Sequence, residues 1–183
     1  MPGYLDDAAD AIRQLIDPVE RANRSARSLG AVGNKAITPR YVAETLTPGE
    51  TVLNFGAGKP NPATGLYDHS EMLRRAGGKV WEYDFGRNSV GDDALARHYD
   101  TVMASNVLNT QSDMDMLLRT LEQIRQSTGQ RAVFNFPSSP RYIDAKAGDV
   151  MDAAAKVFSA DPRIVGGSRS APLIEVRLPR LSP

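Results

Sequence analysis

Five short runs rich in β-branched and aromatic residues alternate with stretches of helical period, and this alternation limits what the chain can become. The runs are Thr51–Phe55, Lys79–Phe85, Thr101–Ser105, Arg131–Phe136 and Leu173–Leu178. Strands interrupted by helices build a sheet covered on both faces, so the expected fold is an α/β sandwich whose first strands are parallel. Helices are expected from Ile37 to Val42, with Thr38 as N-cap and Pro39 in its first position, and from Ser70 to Ala76, stopped by Gly77-Gly78. A stronger amphipathic helix, capped by Ser112, presents Met116, Leu117, Thr120, Leu121 and Ile124 on one face and stops near Gly129. A fourth runs through Val150, Ala154, Val157 and Phe158. Trp81 and Tyr83 alternate on one face of the second run, a pattern read as core packing.

Before this core lie two further helical stretches. Leu5, Ala8, Ala9, Ile12, Leu15 and Ile16 share a face until Asp17-Pro18 breaks the period. Val19, Ala22, Ala26 and Leu29 form a weaker set ending at Gly30. With 183 residues, the chain suits one domain: a helical segment over 1–36, a core over 37–178 and a frayed tail over 179–183. The whole reads as a three-layer, Rossmann-like sandwich around a mostly parallel sheet.

Composition removes several chemistries. Cysteine is absent, which excludes disulfides, cysteine-bound zinc, iron–sulfur clusters and thiol nucleophiles. His69 and His98 are the only histidines, neither in ligand spacing, so no metal is expected. No apolar run approaches the roughly 18 residues that span a bilayer, and Asp6-Asp7 stand where a signal peptide would be basic. The expectation is a cytoplasmic protein with no membrane partner. The 22 basic residues equal the 22 acidic ones, yet between Arg13 and Arg40 six basic residues (Arg13, Arg21, Arg24, Arg27, Lys35, Arg40) face two acidic ones, a local balance of +4. That stretch is either a solvated helix face or a phosphate-facing patch that makes nucleic acid a candidate partner.

In a sheet of this kind, ligands bind beyond the carboxyl ends of the strands, where the topology reverses. The first run ends in Asn54-Phe55-Gly56-Ala57-Gly58-Lys59-Pro60, and two glycines spaced by one residue allow a tight turn and close backbone approach. The second reaches Asp84, a carboxylate placed to accept both hydrogen bonds of a ribose diol. Together they point to a nucleoside-bearing ligand. No third glycine follows on the dinucleotide spacing, and Pro60 and Pro62 delay the next helix, so the loop is poorly built for a pyrophosphate. The Walker pattern is missing as well, which disfavours an NTPase. A zwitterionic group near the first strand, such as the methionyl end of S-adenosylmethionine (SAM), suits the loop better.

These residues resemble a family. Asn54 to Gly58, Tyr83-Asp84 and the run from Tyr99 to Asn109 (YDTVMASNVLN) look like the class I, Rossmann-like SAM-dependent methyltransferases, including small ones common in phage and bacterial genomes. The match spans roughly Ile37 to Phe136. Ile37-Thr38-Pro39-Arg40 also resembles the Thr-Pro segment that touches SAM in many DNA methyltransferases. By this resemblance SAM is the cofactor and methyl donor. Gly56 and Gly58 face its methionyl part, Asp84 its ribose hydroxyls, Phe85 its adenine and Thr38 its carboxylate. Asn54 stands where the family usually has an acid, so it would meet the ammonium through its side-chain carbonyl without a charge. Pro60 holds the third glycine position.

Asn106 is the implied catalytic residue, closing the site near the methyl group, and Asn109 and Asn135 are implied substrate contacts. Each of these asparagines also suits a turn at the end of a strand. The acceptor is open. The family's cysteine route to 5-methylcytosine is excluded, and Ser105-Asn106-Val107-Leu108 keeps only the first residue of the (Asp/Asn/Ser)-Pro-Pro-(Tyr/Phe) loop used on exocyclic amines. The leading reading is a SAM-dependent methyltransferase, with nucleic acid as one candidate acceptor. A non-catalytic SAM- or nucleoside-binding module that regulates or sequesters is the alternative. A nucleotide-sugar or NAD(P) enzyme comes third.

Overall fold

A computed structural model describes residues 36–138 and 143–179. The helices expected between Leu5 and Gly30, and the tail after residue 179, lie outside the described residues. The elements are α1 (Ile37–Thr45), β1 (Thr51–Phe55), α2 (Asp68–Arg75), β2 (Lys79–Tyr83), β3 (Tyr99–Ala104), α3 (Met114–Ser127), β4 (Thr128–Asn135), α4 (Ala147–Phe158), β5 (Pro162–Ser168) and β6 (Ala171–Arg177). Three 3-10 turns, Gly86–Asn88, Ala94–Ala96 and Leu108–Thr110, complete the connections.

The strands form one sheet in the order β2-β1-β3-β4-β6-β5. β1 to β4 are parallel, and β6 returns antiparallel between β4 and β5. Strand alternation sends successive side chains to opposite faces, and each face has its own helix layer. On one, Leu53, Val102, Ala132, Phe134, Ile174 and Val176 pack against Leu117, Leu121 and Ile124 of α3 and Val150, Ala154 and Phe158 of α4. On the other, Val52, Met103, Val133 and Leu173 meet Val42 of α1 and Leu73 of α2. The result is the expected three-layer α/β sandwich. Tyr83 is buried and Trp81 packs against the larger core, their rings lying against Phe55 and Tyr99 respectively.

Local readings are corrected in three places. The N-cap of α1 is Ala36; Thr38 lies inside the first turn and makes no capping bond. Asp113, not Ser112, caps α3, accepting from the Met116 N–H at 2.8 Å. A carboxylate is the stronger acceptor there because it also answers the helix dipole. β5 was not foreseen. It begins with a proline, holds Gly166 and Gly167, and pairs on one side only, so nothing in it demands an apolar period. α3 ends at Ser127, close to Gly129 as expected, and passes directly into β4 at Thr128, whose hydroxyl donates to the Ile124 carbonyl at 2.6 Å.

At the amino ends of the strands, on the α1–α2 face, Arg131 is buried among acids. It reaches Glu50 at 3.2 Å, Glu175 at 3.3 Å, Thr101 Oγ1 at 2.8 Å and Thr45 Oγ1 at 2.9 Å. Thr101 donates to Glu50, and Tyr41 to Glu175 at 3.3 Å. Burial, reinforced by the Glu175 charge, pushes the Tyr41 phenol up. Beside this network, Asp100 accepts from the Thr51 N–H and hydroxyl at 2.8 and 2.7 Å and from Gln130 at 2.7 Å. Burial acts to raise the Asp100 carboxyl, but those hydrogen bonds outweigh it and hold the group below the usual range.

Candidate functional site

The connection from β1 to β2 leaves the sheet on one side, and β3 adds on the other side of β1, so the topology reverses at the carboxyl ends of β1 and β3. This is where a crevice opens in an open α/β sheet. Gly56 and Gly58 follow β1 with φ of 72° and 75°, a left-handed region costly for residues with a Cβ. The main-chain N–H groups of Gly56 and Ala57 both donate to the Tyr83 carbonyl, at 2.8 and 3.0 Å, which ties the turn to the end of β2.

The two glycines serve different ends. A Cβ on Gly56 would stand 2.4 Å from Cγ2 of Val107, so this glycine is required by packing between the turns after β1 and β3. A Cβ on Gly58 would meet nothing within 4 Å. Open space over a left-handed backbone makes Gly58 the glycine available to a ligand.

Asp84 sits beside it. One carboxylate oxygen accepts the Gly58 N–H at 2.6 Å, and the other accepts the Phe85 N–H at 2.7 Å. Burial pushes this carboxyl above its ordinary range, and the two main-chain donors only partly oppose the shift. Each oxygen keeps a lone pair, so the group can still accept two hydroxyls. Phe85 carries its ring at 44% exposure, an apolar surface next to a carboxylate. Tyr67, just before α2, was missed by sequence reasoning. Burial pushes its phenol up, and the charges of Glu82 and Asp84 add to the shift. No local motif marks it, because its surroundings are set by the fold of the loop that precedes α2.

Asn54 is buried and donates through Nδ2 to Ser70 of α2 at 3.0 Å, leaving its carbonyl for another partner. Thr38 is wholly buried on α1, and its hydroxyl has no hydrogen-bond partner. The C-terminal residue of the same helix touches Arg131 at the amino ends, so α1 runs against the strands and carries Thr38 about 10 Å back toward their carboxyl ends. The Ser105 hydroxyl, at the end of β3, is also buried and unpartnered. Buried hydroxyls normally find partners, and those without one are candidate ligand contacts.

Asn106 adopts the left-handed conformation, φ 57°, which asparagine tolerates better than most residues. Asn135, nearly buried at the end of β4, holds it by two hydrogen bonds, at 2.7 and 2.6 Å. Asn109 is fully buried within the 3-10 turn Leu108–Thr110. The fold thus gathers Gly58, Asp84 and Phe85 into one cluster and Asn106 and Asn135 into another, while Asn109 lies beneath the surface. Of the basic stretch, only Arg40, which is exposed, falls among the described residues besides α1's own neutral side chains. Among the described residues there is no group of three or more His, Asp or Glu side chains able to hold a metal ion, and no helix is long and apolar enough to cross a membrane.

No family model matches the sequence, and no curated protein is similar to it at a significant level. Solved structures do match. Magnesium protoporphyrin IX methyltransferase from Synechocystis PCC 6803 with bound SAM superposes at a TM-score of 0.56, with 17% identity over 90% of this chain and 85% of that one. The same enzyme with bound S-adenosylhomocysteine (SAH) gives 0.54 at 17% identity, over 78% of this chain and 80% of that one. A structure from Rhodobacter sphaeroides named "Putative Zn-dependent Alcohol Dehydrogenases" gives 0.59 at 10% identity, over 90% and 99%. At such identities the likeness speaks to architecture, and it is the architecture that the strand order and layers describe. The chain shares the three-layer, Rossmann-like α/β fold of these methyltransferase structures.

Proposed function

We propose that the protein binds SAM at the carboxyl ends of β1 and β2 and transfers its methyl group. The observation that carries this reading is the bond from the Gly58 N–H to Asp84, which joins an open glycine turn to a carboxylate able to take a ribose diol. α2 begins only at Asp68, ten residues after Gly58, so no helix N-terminus stands at the turn to receive a pyrophosphate. That spacing favours SAM over a dinucleotide. Gly58 would face the methionyl part, Asp84 the ribose and Phe85 the adenine. The unpartnered Thr38 hydroxyl and the Asn54 carbonyl supply neutral contacts to the carboxylate and ammonium. SAM brings an already activated methyl group, so the chain's own task is to orient two partners and exclude water.

Calorimetry with SAM, SAH, NAD and ATP tests the reading. SAM and SAH binding at micromolar concentrations, with NAD silent, is the expected result; NAD binding alone would overturn it. The neutral Asn54 favours a second reading, a module that binds SAM without turnover, and transfer of label from methyl-tritiated SAM separates the two. Nucleic acid as acceptor rests on the +4 balance between Arg13 and Arg40. It requires binding that weakens steeply with salt, with a slope near 0.9 per phosphate contact on duplex DNA.

A further inference from the structure

The hydrogen bonds of the turn after β3 admit a single assignment of two side-chain amides. The Asn106 main-chain N–H donates to Oδ1 of Asn135 at 2.7 Å. A main-chain nitrogen can only donate, so the atom facing it must be an oxygen, and the Asn135 amide cannot be turned round. Its Nδ2 then has donor capacity alone, and it donates to Oδ1 of Asn106 at 2.6 Å. That fixes the second amide as well. Nδ2 of Asn106 is the atom turned away from the clasp, and among the described residues neither of its hydrogens has a partner.

We infer that Asn106 works at this site as a hydrogen-bond donor whose polarity is set by Asn135, and that the methyl acceptor is an oxyanion, a carboxylate in the simplest case, rather than an exocyclic amine. The inference rests on the methyl-transfer reading above. An amine would bring N–H groups against the N–H groups of Asn106, a donor facing a donor. It would also have to lose a proton, and Asp84, held by the Gly58 and Phe85 N–H groups, is committed on that reading to the ribose hydroxyls. Of the two histidines, the exposed His98 precedes β3, at the opposite end of the strand, and His69 stands on α2 beside Ser70, on the β1–β2 side of the crevice rather than on the turn after β3. A carboxylate meets neither obstacle. One of its lone pairs forms the new C–O bond while the S–C bond of the sulfonium breaks, its electron pair passing to sulfur. Anion and cation become a neutral ester and a neutral thioether, and no proton moves. Asn135 touches no reacting atom; it is a positioning residue.

The test uses the full chain, ¹⁵N-labelled, with acetate as the probe and chloride at equal ionic strength as control. In the wild type, acetate should shift the Asn106 side-chain amide signals saturably, and chloride should not. Asn135→Asp keeps an acceptor for the Asn106 N–H but cannot donate to its Oδ1, so the Asn106 amide should turn round. Its signals should then follow the titration of the new carboxyl, and the acetate response should fall at least tenfold. Should that variant not fold, Asn106→Asp keeps the clasp and reverses only the outward atom, and the acetate response of the Val107 main-chain amide should vanish. An acetate response no larger than that to chloride, or one that survives either variant, overturns the donor assignment. SAH calorimetry on the same samples, and the acetate titration repeated without SAH, keep the two readings apart. Absent SAH binding removes the methyl-transfer reading, whereas the acetate response reports only the polarity of Asn106.

Discussion

The two ends of the α1–α2 face of the sheet treat buried polar groups in opposite ways. At the amino ends, Arg131 shares its guanidinium among Glu50, Glu175, Thr101 and Thr45, and Asp100 is held low by three donors. At the carboxyl ends, the Thr38 and Ser105 hydroxyls lack partners, and Asp84 is pushed up by burial. Satisfied groups hold a fold in one arrangement, whereas unsatisfied ones keep a desolvation cost that a ligand can relieve. The first end has its polar groups paired, and the second carries the proposed SAM site; α1 contributes to both, through Tyr41 and Thr45 at one end and Thr38 at the other.

The sharpest way to break this contrast is at Arg131. Arg131→Met would leave Glu50 buried without a cation and Glu175 with only the more exposed Arg177, at 2.6 Å, and a loss of about 3 kcal/mol of stability is expected in chemical denaturation. SAH affinity of the folded fraction should not change. A loss below about 1 kcal/mol would mean that water enters the network. At the other end, Asp84→Ala should reverse the pattern: SAH affinity weakens by about 1–3 kcal/mol as two ribose hydroxyls lose their acceptor. Equal affinity in calorimetry would remove Asp84 from the ribose.

Thr38→Val sharpens the comparison further, because it deletes an unpartnered hydroxyl with little change of shape. Stability should rise by about 1 kcal/mol while SAH binding weakens. If both fell together, Thr38 would belong to the structural end after all. The smallest effect concerns acid. The folded Asp100 carboxyl lies below its ordinary value, so its contribution to stability is present above about pH 3.9 and is lost as pH falls through the lowered folded value. Asp100→Asn should therefore flatten the acid limb of a stability–pH curve. An unaltered limb would assign acid lability to other carboxylates.

The same contrast explains what could be read from the sequence. β1 occupies the residues its β-rich run predicted, and the α3 face Leu117, Thr120, Leu121 and Ile124 is buried, because both follow the periods imposed by a two-sided core. The glycine turn and Asp84 were legible for a similar reason, since each sits where a strand must end. The Arg131 network was not. An arginine at the start of an apolar strand gives no local sign of being buried, and its partners come from Glu50, Thr101 and Glu175, far apart in the chain. Gly56 was legible as a glycine but not for its reason, the contact with Val107 on another turn. The polarity of Asn106 depends on Asn135, 29 residues away, and no spacing rule links them.

The direct passage from α3 into β4 bears on how this chain can change length. Side chains of a strand alternate, so one residue gained or lost between Ser127 and Thr128 would exchange the faces of β4, unless the helix took up the change. Arg131 would turn into the apolar layer beneath α3, and Phe134 would turn toward Glu50 and Glu175. Between Gly58 and Asp68, by contrast, the chain has irregular connection to spare, and doubling such a loop costs only about 0.6 kcal/mol of closure entropy. Insertions and deletions in descendants of this sequence should therefore collect beside the glycine turn, where they can reshape what the crevice admits, and should be purged at the junction that sets the register of the strand bearing both Arg131 and Asn135.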